Sequence, residues 1–239
     1  MGPLAHRKFA EWTQGLDTRE AMVSIFYHIR DIPYAIVTGP EFRDPERGPE
    51  KMLAEGRGSC GPKHYLLAMM YRRLNVDAVY ATFPFFWQEQ AVRYPPALRE
   101  DASLLPLAYH LACRVRIGCR WALVDATWDP PLRKAGFPVN LHWDGIADTA
   151  CAVSPPGSPE RPARSRTRAG RQCPGQGNGE IVPQEGERDH WEAEDRVRYH
   201  NERTGARTPA DIQRTGRFYE KLNEWLGKVR EQEYPGGME

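Results

Sequence analysis

Gly56-Arg57-Gly58-Ser59-Cys60-Gly61-Pro62-Lys63-His64 runs directly into the apolar stretch Tyr65-Leu66-Leu67-Ala68-Met69-Met70-Tyr71. Two glycines break the chain ahead of Cys60, Ser59 can cap a helix, and Pro62 falls where its missing N–H costs nothing. The stretch reads as a loop turning into a helix with a thiol at its mouth. Leu66, Met69, Met70 and Leu74 recur at helical spacing and can face a core, while Arg72 and Arg73 suit the C-terminal end of the dipole. A thiol in that position has its thiolate stabilised by unpaired N–H groups, which is the setting of a nucleophile. A buried small hydrophobe is the plainer reading of a cysteine, but glycines on both sides argue against simple packing. They leave backbone N–H groups uncovered for an oxyanion, that of Cys60 first among them.

Working outward toward the C-terminus, residues 77–83 read as a strand, and so do 107–117 and 120–126. The last two are joined by Gly118-Cys119, a plausible two-residue hairpin turn. Parity then decides the chemistry. With that turn Ile117 opposes Arg120, so His110 falls opposite Thr127 and Ala112 opposite Asp125. His110 and Asp125 become diagonal neighbours on one face. A slip of one residue would put them on opposite faces. A thiol, an imidazole and a carboxylate to orient it are the parts of a cysteine acyl-transfer site.

Outward in the other direction, residues 9–29 read as helix, with Asp17 or Thr18 as a cap and Met22, Ile25, Phe26 and Ile29 as an apolar stripe. Asp31-Ile32-Pro33 ends it. Residues 39–49 form a punctuated loop, and Pro49 can start a short helix through Leu53. Beyond the first strand, Phe83, Phe85, Phe86, Trp87 and Tyr94 are interrupted by Pro84, Pro95 and Pro96. That pattern reads as an aromatic loop able to wall a cleft, with Trp87 and Phe86 the substrate-lining candidates and Tyr34 and His64 the others.

From Cys151 the composition changes. Pro, Gly and Arg dominate, almost nothing can bury, and 151–190 reads as a disordered insertion or linker. An amphipathic helix returns at 209–230, with Ile212, Phe218, Tyr219, Leu222, Trp225, Leu226 and Val229 as its stripe. The chain thus divides into a catalytic core over 9–150, the linker, and a helical segment over 191–232 that docks back on the core.

Among the 239 residues, 33 basic side chains balance 32 acidic ones, so the composition implies no nucleic-acid partner. No apolar run is long enough for a bilayer span, and the expectation is no membrane partner. The first eight residues have no apolar stretch behind them and do not read as a signal peptide. Five cysteines at irregular spacing argue against a full disulfide framework and fit a reducing, cytoplasmic setting, with Cys113 and Cys119 as ordinary thiols.

Gly58-Ser59-Cys60 opening a helix, Tyr109-His110 opening a strand, and Trp121-Ala122-Leu123-Val124-Asp125-Ala126-Thr127-Trp128-Asp129 together resemble the transglutaminase-like superfamily. The resemblance covers about residues 16–129. It implies an α+β, papain-like fold with the nucleophile helix packed on an antiparallel sheet. It implies Cys60 as nucleophile, His110 as general base and Asp125 as its orienting partner, with no cofactor. The implied activity is hydrolysis of an amide or peptide bond through a thioester, on a peptide, protein or small amide. Two alternatives are an amine-accepting transglutaminase and an inactive domain of the same fold that binds peptide or protein. Relatives often add an upstream Gln or Trp as second oxyanion donor. Trp12 and Gln14 match no such motif here, which leaves Tyr34 as a candidate. His64 lies on the Cys60 face of its helix, and with His110 and Asp125 the four could form a zinc set. No CxxC or HExxH accompanies them, and the expectation is no metal.

Overall fold

A computed structural model describes residues 1–157 and 187–231. The first helical stretch is two helices, α1 (Pro3–Thr13) and α2 (Thr18–Asp31), rather than one over 9–29. Gly15 turns the chain between them at φ +75°, and Asp17 then caps α2. Its carboxylate accepts the Glu20 N–H while the Glu20 carboxylate accepts the Asp17 N–H, a reciprocal capping box. The short α3 (Pro40–Arg43) and α4 (Arg47–Glu55) follow. Left-handed Gly56 closes α4.

Helix α5 (Cys60–Arg73) begins after an extended Ser59 whose hydroxyl makes no cap bond. The Cys60 and Gly61 N–H groups therefore stay unpaired within the helix. Gly58 is needed for close approach: a Cβ there would sit 2.6 Å from Met52 Cγ. The same residue forms a parallel bridge with Tyr34. The Ala35 N–H donates to the Gly58 carbonyl and the Gly58 N–H donates to the Pro33 carbonyl.

Three strands form the antiparallel sheet anticipated from sequence: β1 (Ala78–Phe85), β2 (Ala108–Ile117) and β3 (Arg120–Val124). Ile117 pairs with Arg120 across the hairpin, as the turn requires. A fourth strand, β4 (Arg188–His190), pairs antiparallel with β1, giving the order β3-β2-β1-β4. It lies in the stretch read as linker. The other end of that stretch is ordered as well: Cys151, Ala152, Val153 and Ser154 are buried, so the core runs past 150. The rest of the linker reading, 158–186, lies outside the described residues. The architecture is thus mixed helix and antiparallel sheet.

The sheet is covered on both faces. On one, Leu111, Cys113, Val115 and Val124 pack with Leu66, Leu67 and Met70 of α5 and Ile25 and Phe26 of α2. On the other, Phe83, Phe85, Ala112 and Leu123 pack with Phe218, Leu222 and Leu226. These three belong to α8 (Pro209–Glu231), which follows α7 (Ala193–Thr204). Each such side chain contributes roughly 2 kcal/mol of burial. A further helix, α6 (Pro96–Ser103), and short 3₁₀ turns at Trp87–Glu89 and Pro130–Ala135 fill this second core. The aromatic group is therefore not an open loop. β1 runs through Pro84 to Phe85, and Phe83, Phe85, Trp87 and Tyr94 are all buried. Among the described residues, no helix is long and apolar enough to cross a membrane.

Candidate active site

Cys60 is half-buried at the first position of α5 and opens on a cleft of about 510 Å³. His110 comes from β2, on the face that carries Ala108 and Ala112. Asp125 comes just past the end of β3, on the parity of Leu123. The His110 Nε2 lies 2.8 Å from Asp125 Oδ2, with both residues buried. The hairpin parity thus brings the two together. Nε2 is committed to the carboxylate, so Nδ1 is the nitrogen left for the thiol.

Asp125 is held from every side. Its Oδ2 also accepts the Ala152 N–H at 2.7 Å, and its Oδ1 accepts the Thr127 N–H at 3.1 Å. Its own N–H donates to Thr149 Oγ1, and Asn140 Nδ2 donates to its carbonyl. Burial opposes its charge, but the His110 imidazolium and these donors outweigh that and hold the carboxyl well below the usual range. Burial likewise opposes a charged His110, yet Asp125 and the neighbouring thiol raise it to about 10. Burial alone would push the Cys60 thiol up. The His110 imidazole, with help from the Leu111 amide and the Arg196 charge, brings it below its ordinary value. The site favours a thiolate beside an imidazolium.

Of the two readings of His64, cleft-wall residue or satisfied side chain, the cleft reading is corrected: His64 is wholly buried and does not line the cleft. Its Nδ1 lies 2.9 Å from the Cys60 carbonyl oxygen, one helical turn back, and its Nε2 accepts the Ala126 N–H at 3.1 Å. An Nε2 that accepts leaves the proton on Nδ1, so the ring is neutral. Burial pushes it to about 4 despite the Asp125 carboxylate 3.6 Å away. Its work is to tie the start of α5 to the strand end that carries Asp125. Lys63 does the same from the next position. Wholly buried, its Nζ donates to the carbonyls of Arg30 (3.0 Å), Thr127 (2.8 Å) and Ala126 (3.4 Å). Burial lowers its ammonium to about 7.

Of the other cleft candidates, Tyr34 and Trp87 line the cleft and Phe86 does not. The strand extends two residues further than expected, through Pro84 and Phe85, so alternation turns Phe85 inward in place of Phe86. Tyr34 is fixed by its backbone. Its N–H donates to Asp129 Oδ1 at 2.8 Å, and its carbonyl accepts from Arg230 Nη2 at 2.8 Å. Arg230 also grips Asp129 with two bonds, at 2.7 and 2.8 Å, so α8 anchors this wall. Burial first, then the Cys60 charge, raises the Tyr34 phenol well above its usual value and keeps it a donor. Trp12 instead stacks on His28 at 4.7 Å in the opposite core.

The four residues weighed as a zinc set, Cys60, His64, His110 and Asp125, are not the group that converges. His110, Asp125 and Cys151 have ligand atoms within 4.8 Å of one another. Cys151 is driven well above the ordinary thiol value by burial and by Asp125, so it stays protonated. Both Asp125 oxygens already accept N–H groups. This donor set suits hydrogen bonding better than a metal. Cys113 is a buried free thiol, whereas Cys119 is disulfide-bonded rather than an ordinary thiol.

The roof of the cleft was not legible in the sequence. α7 supplies Arg196 and His200, the connection to α8 supplies Arg207, and the first turns of α8 supply Thr215 and Tyr219. A polar helix with one arginine among several carries no local signal for that role. No family model, curated protein or solved structure matches this chain.

Proposed function

We propose that this protein is a cysteine-dependent acyl-transfer enzyme of transglutaminase-like, papain-like type, hydrolysing an amide or peptide bond. The observation that carries the reading is the buried 2.8 Å His110–Asp125 contact beside a helix-terminal thiol that opens on a cleft. A structural cysteine needs none of these companions.

In this reading the Cys60 thiolate attacks the carbonyl carbon and forms a C–S bond while the carbonyl electrons move to oxygen. The Cys60 N–H and the Tyr34 hydroxyl stabilise that oxyanion. The His110 imidazolium gives its proton to the leaving amine as the C–N bond breaks, leaving a thioester and a neutral imidazole. His110 then takes a proton from water, whose oxygen attacks the thioester. The C–S bond breaks, the acid leaves, and the thiolate–imidazolium pair is restored. An amine in place of water would give transfer. Hydrolysis is favoured because the described cleft residues include no device that excludes water.

The test is intact-mass analysis after brief exposure to an activated acyl thioester. One acyl adduct, located on Cys60 and absent in Cys60→Ser, is the expected result. Equal adduct in Cys60→Ser overturns the assignment.

A further inference from the structure

The cleft has a chemical polarity that the triad does not require. None of its described lining residues is acidic, yet Arg43, Arg196 and Arg207 all line it. Arg196 is the unusual one. It is only 8% exposed, and among the described residues it has no carboxylate partner. Its Nη1 donates to the Tyr65 hydroxyl at 3.2 Å, and its buried Nε has no hydrogen-bond partner. Thr215 Oγ1, in the same cleft, is also buried and unpartnered. Arg207 is half-buried and donates to the Leu107 carbonyl, and among the described residues it makes no ion pair, Asp211 being paired with Arg214. Nearby acids are engaged elsewhere or exposed: Asp195 pairs with Arg198, and Glu194 faces solvent.

A buried guanidinium without a counter-charge is costly unless a ligand supplies one. Its planar fork matches a carboxylate bidentately. Much of the remaining lining is apolar, with Phe85, Trp87 and Val153 among it. From these contacts we infer that the substrate is a carboxylate-bearing amide, its carboxylate held by Arg196 with Arg207 and Thr215 and its apolar portion lying along Trp87. The inference rests on the cysteine-enzyme reading of the cleft. His200 supports it: burial and then the charges of Arg196, Arg207 and Arg43 push it to about 3, so it stays neutral and leaves the cationic character to the arginines.

Two alkylating reagents separate this inference from the reading beneath it. Iodoacetamide and iodoacetate carry the same leaving group, and only the second carries a carboxylate. The expected result is an iodoacetate-to-iodoacetamide rate ratio at Cys60 at least about tenfold higher in the wild type than in Arg196→Gln. Arg207→Gln lowers the ratio less, and Arg196→Lys, which keeps the charge in a folded cleft, retains part of it. Succinate should slow iodoacetamide alkylation and raise Tm, while succinamide does neither, and Arg196→Gln should lose both effects. If Cys60 reacts fast with iodoacetamide but the ratio is the same in every variant, the carboxylate inference fails and the nucleophile stands. If Cys60 is inert, the nucleophile fails, and the succinate shift in Tm alone decides the anion site. Inorganic phosphate protecting better than succinate would also overturn the carboxylate assignment.

Discussion

The Nε2 of His64 accepts the Ala126 N–H, which fixes both the tautomer and the charge of a histidine lying beside a buried carboxylate. A protonated ring would lose that acceptor and set two donors against one amide. The histidine nearest Cys60 in sequence is thus a strut, and the distant His110 is the one that carries charge.

Acid stability follows from this. The folded pKa of His64, about 4, lies below its unfolded value near 6.5, so the unfolded chain binds the proton first. Its contribution is intact above about pH 6.5 and is lost as pH falls toward 4, by roughly 3 kcal/mol. His200, lowered to about 3, adds in the same direction. Urea unfolding at pH 7 and pH 4.5 should give a shallower loss in His64→Gln than in wild type, whatever its absolute stability. An equal loss in both would contradict a neutral His64.

Asp125→Asn should move the acid limb of Cys60 alkylation upward by about one pH unit or more, because His110 loses the charge that keeps it protonated. The wild-type limb should lie below that of an ordinary thiol. The stabilising contribution of charged His110 has the opposite sign to that of His64. It is present in full below about pH 6.5 and is lost as pH rises through about 10. Pseudo-first-order iodoacetamide kinetics across pH measures the shift, and coincident profiles would sink the triad.

Lys63→Met keeps volume and removes three hydrogen bonds to carbonyls on two separate segments. The expected loss is about 2–4 kcal/mol, with the Ala126 and Thr127 carbonyls left buried and under-satisfied. The alkylation rate of Cys60 should fall as well, since the Asp125 strand end loses its tether to α5. A stability change within 0.5 kcal/mol, roughly the scale of a neutral surface substitution, would show that the ammonium is dispensable.

Trp87→Ala tests the double duty of the second core. The ring lies 5.0 Å from Phe85 and 5.4 Å from Phe218, and it also lines the cleft. A loss of about 3–5 kcal/mol is expected from the cavity. Trp87→Phe should restore most of the stability and still raise KM for a peptide substrate. A KM unchanged in Trp87→Phe would confine the residue to the core.

The His110–Asp125 pairing was legible because its geometry is local. Hairpin register from one two-residue turn sets His110 against Asp125, and helix-start chemistry sets Cys60. The aromatic group was half legible: residue type gave burial, but the strand's two further residues, Pro84 and Phe85, decided that Phe85 and not Phe86 turns inward. Arg196, Thr215 and Tyr219 could not be read, because their place over Cys60 depends on how α7 and α8 return across the sheet. His64 and Lys63 were hidden for another reason. Their partners are backbone groups of a strand end some sixty residues away, and backbone acceptors leave no mark in a sequence.

The paired bonds from Arg230 to Asp129 span 101 positions. That separation imposes an order in time on synthesis. Cys60, His110 and Asp125 are all translated, and can begin to fold, long before Arg230 leaves the ribosome. Until then the Tyr34 wall lacks its clasp and the cleft has no roof. In the proposed reading, a nascent chain would therefore carry the Cys60 thiol without a completed place for a substrate until α8 arrives.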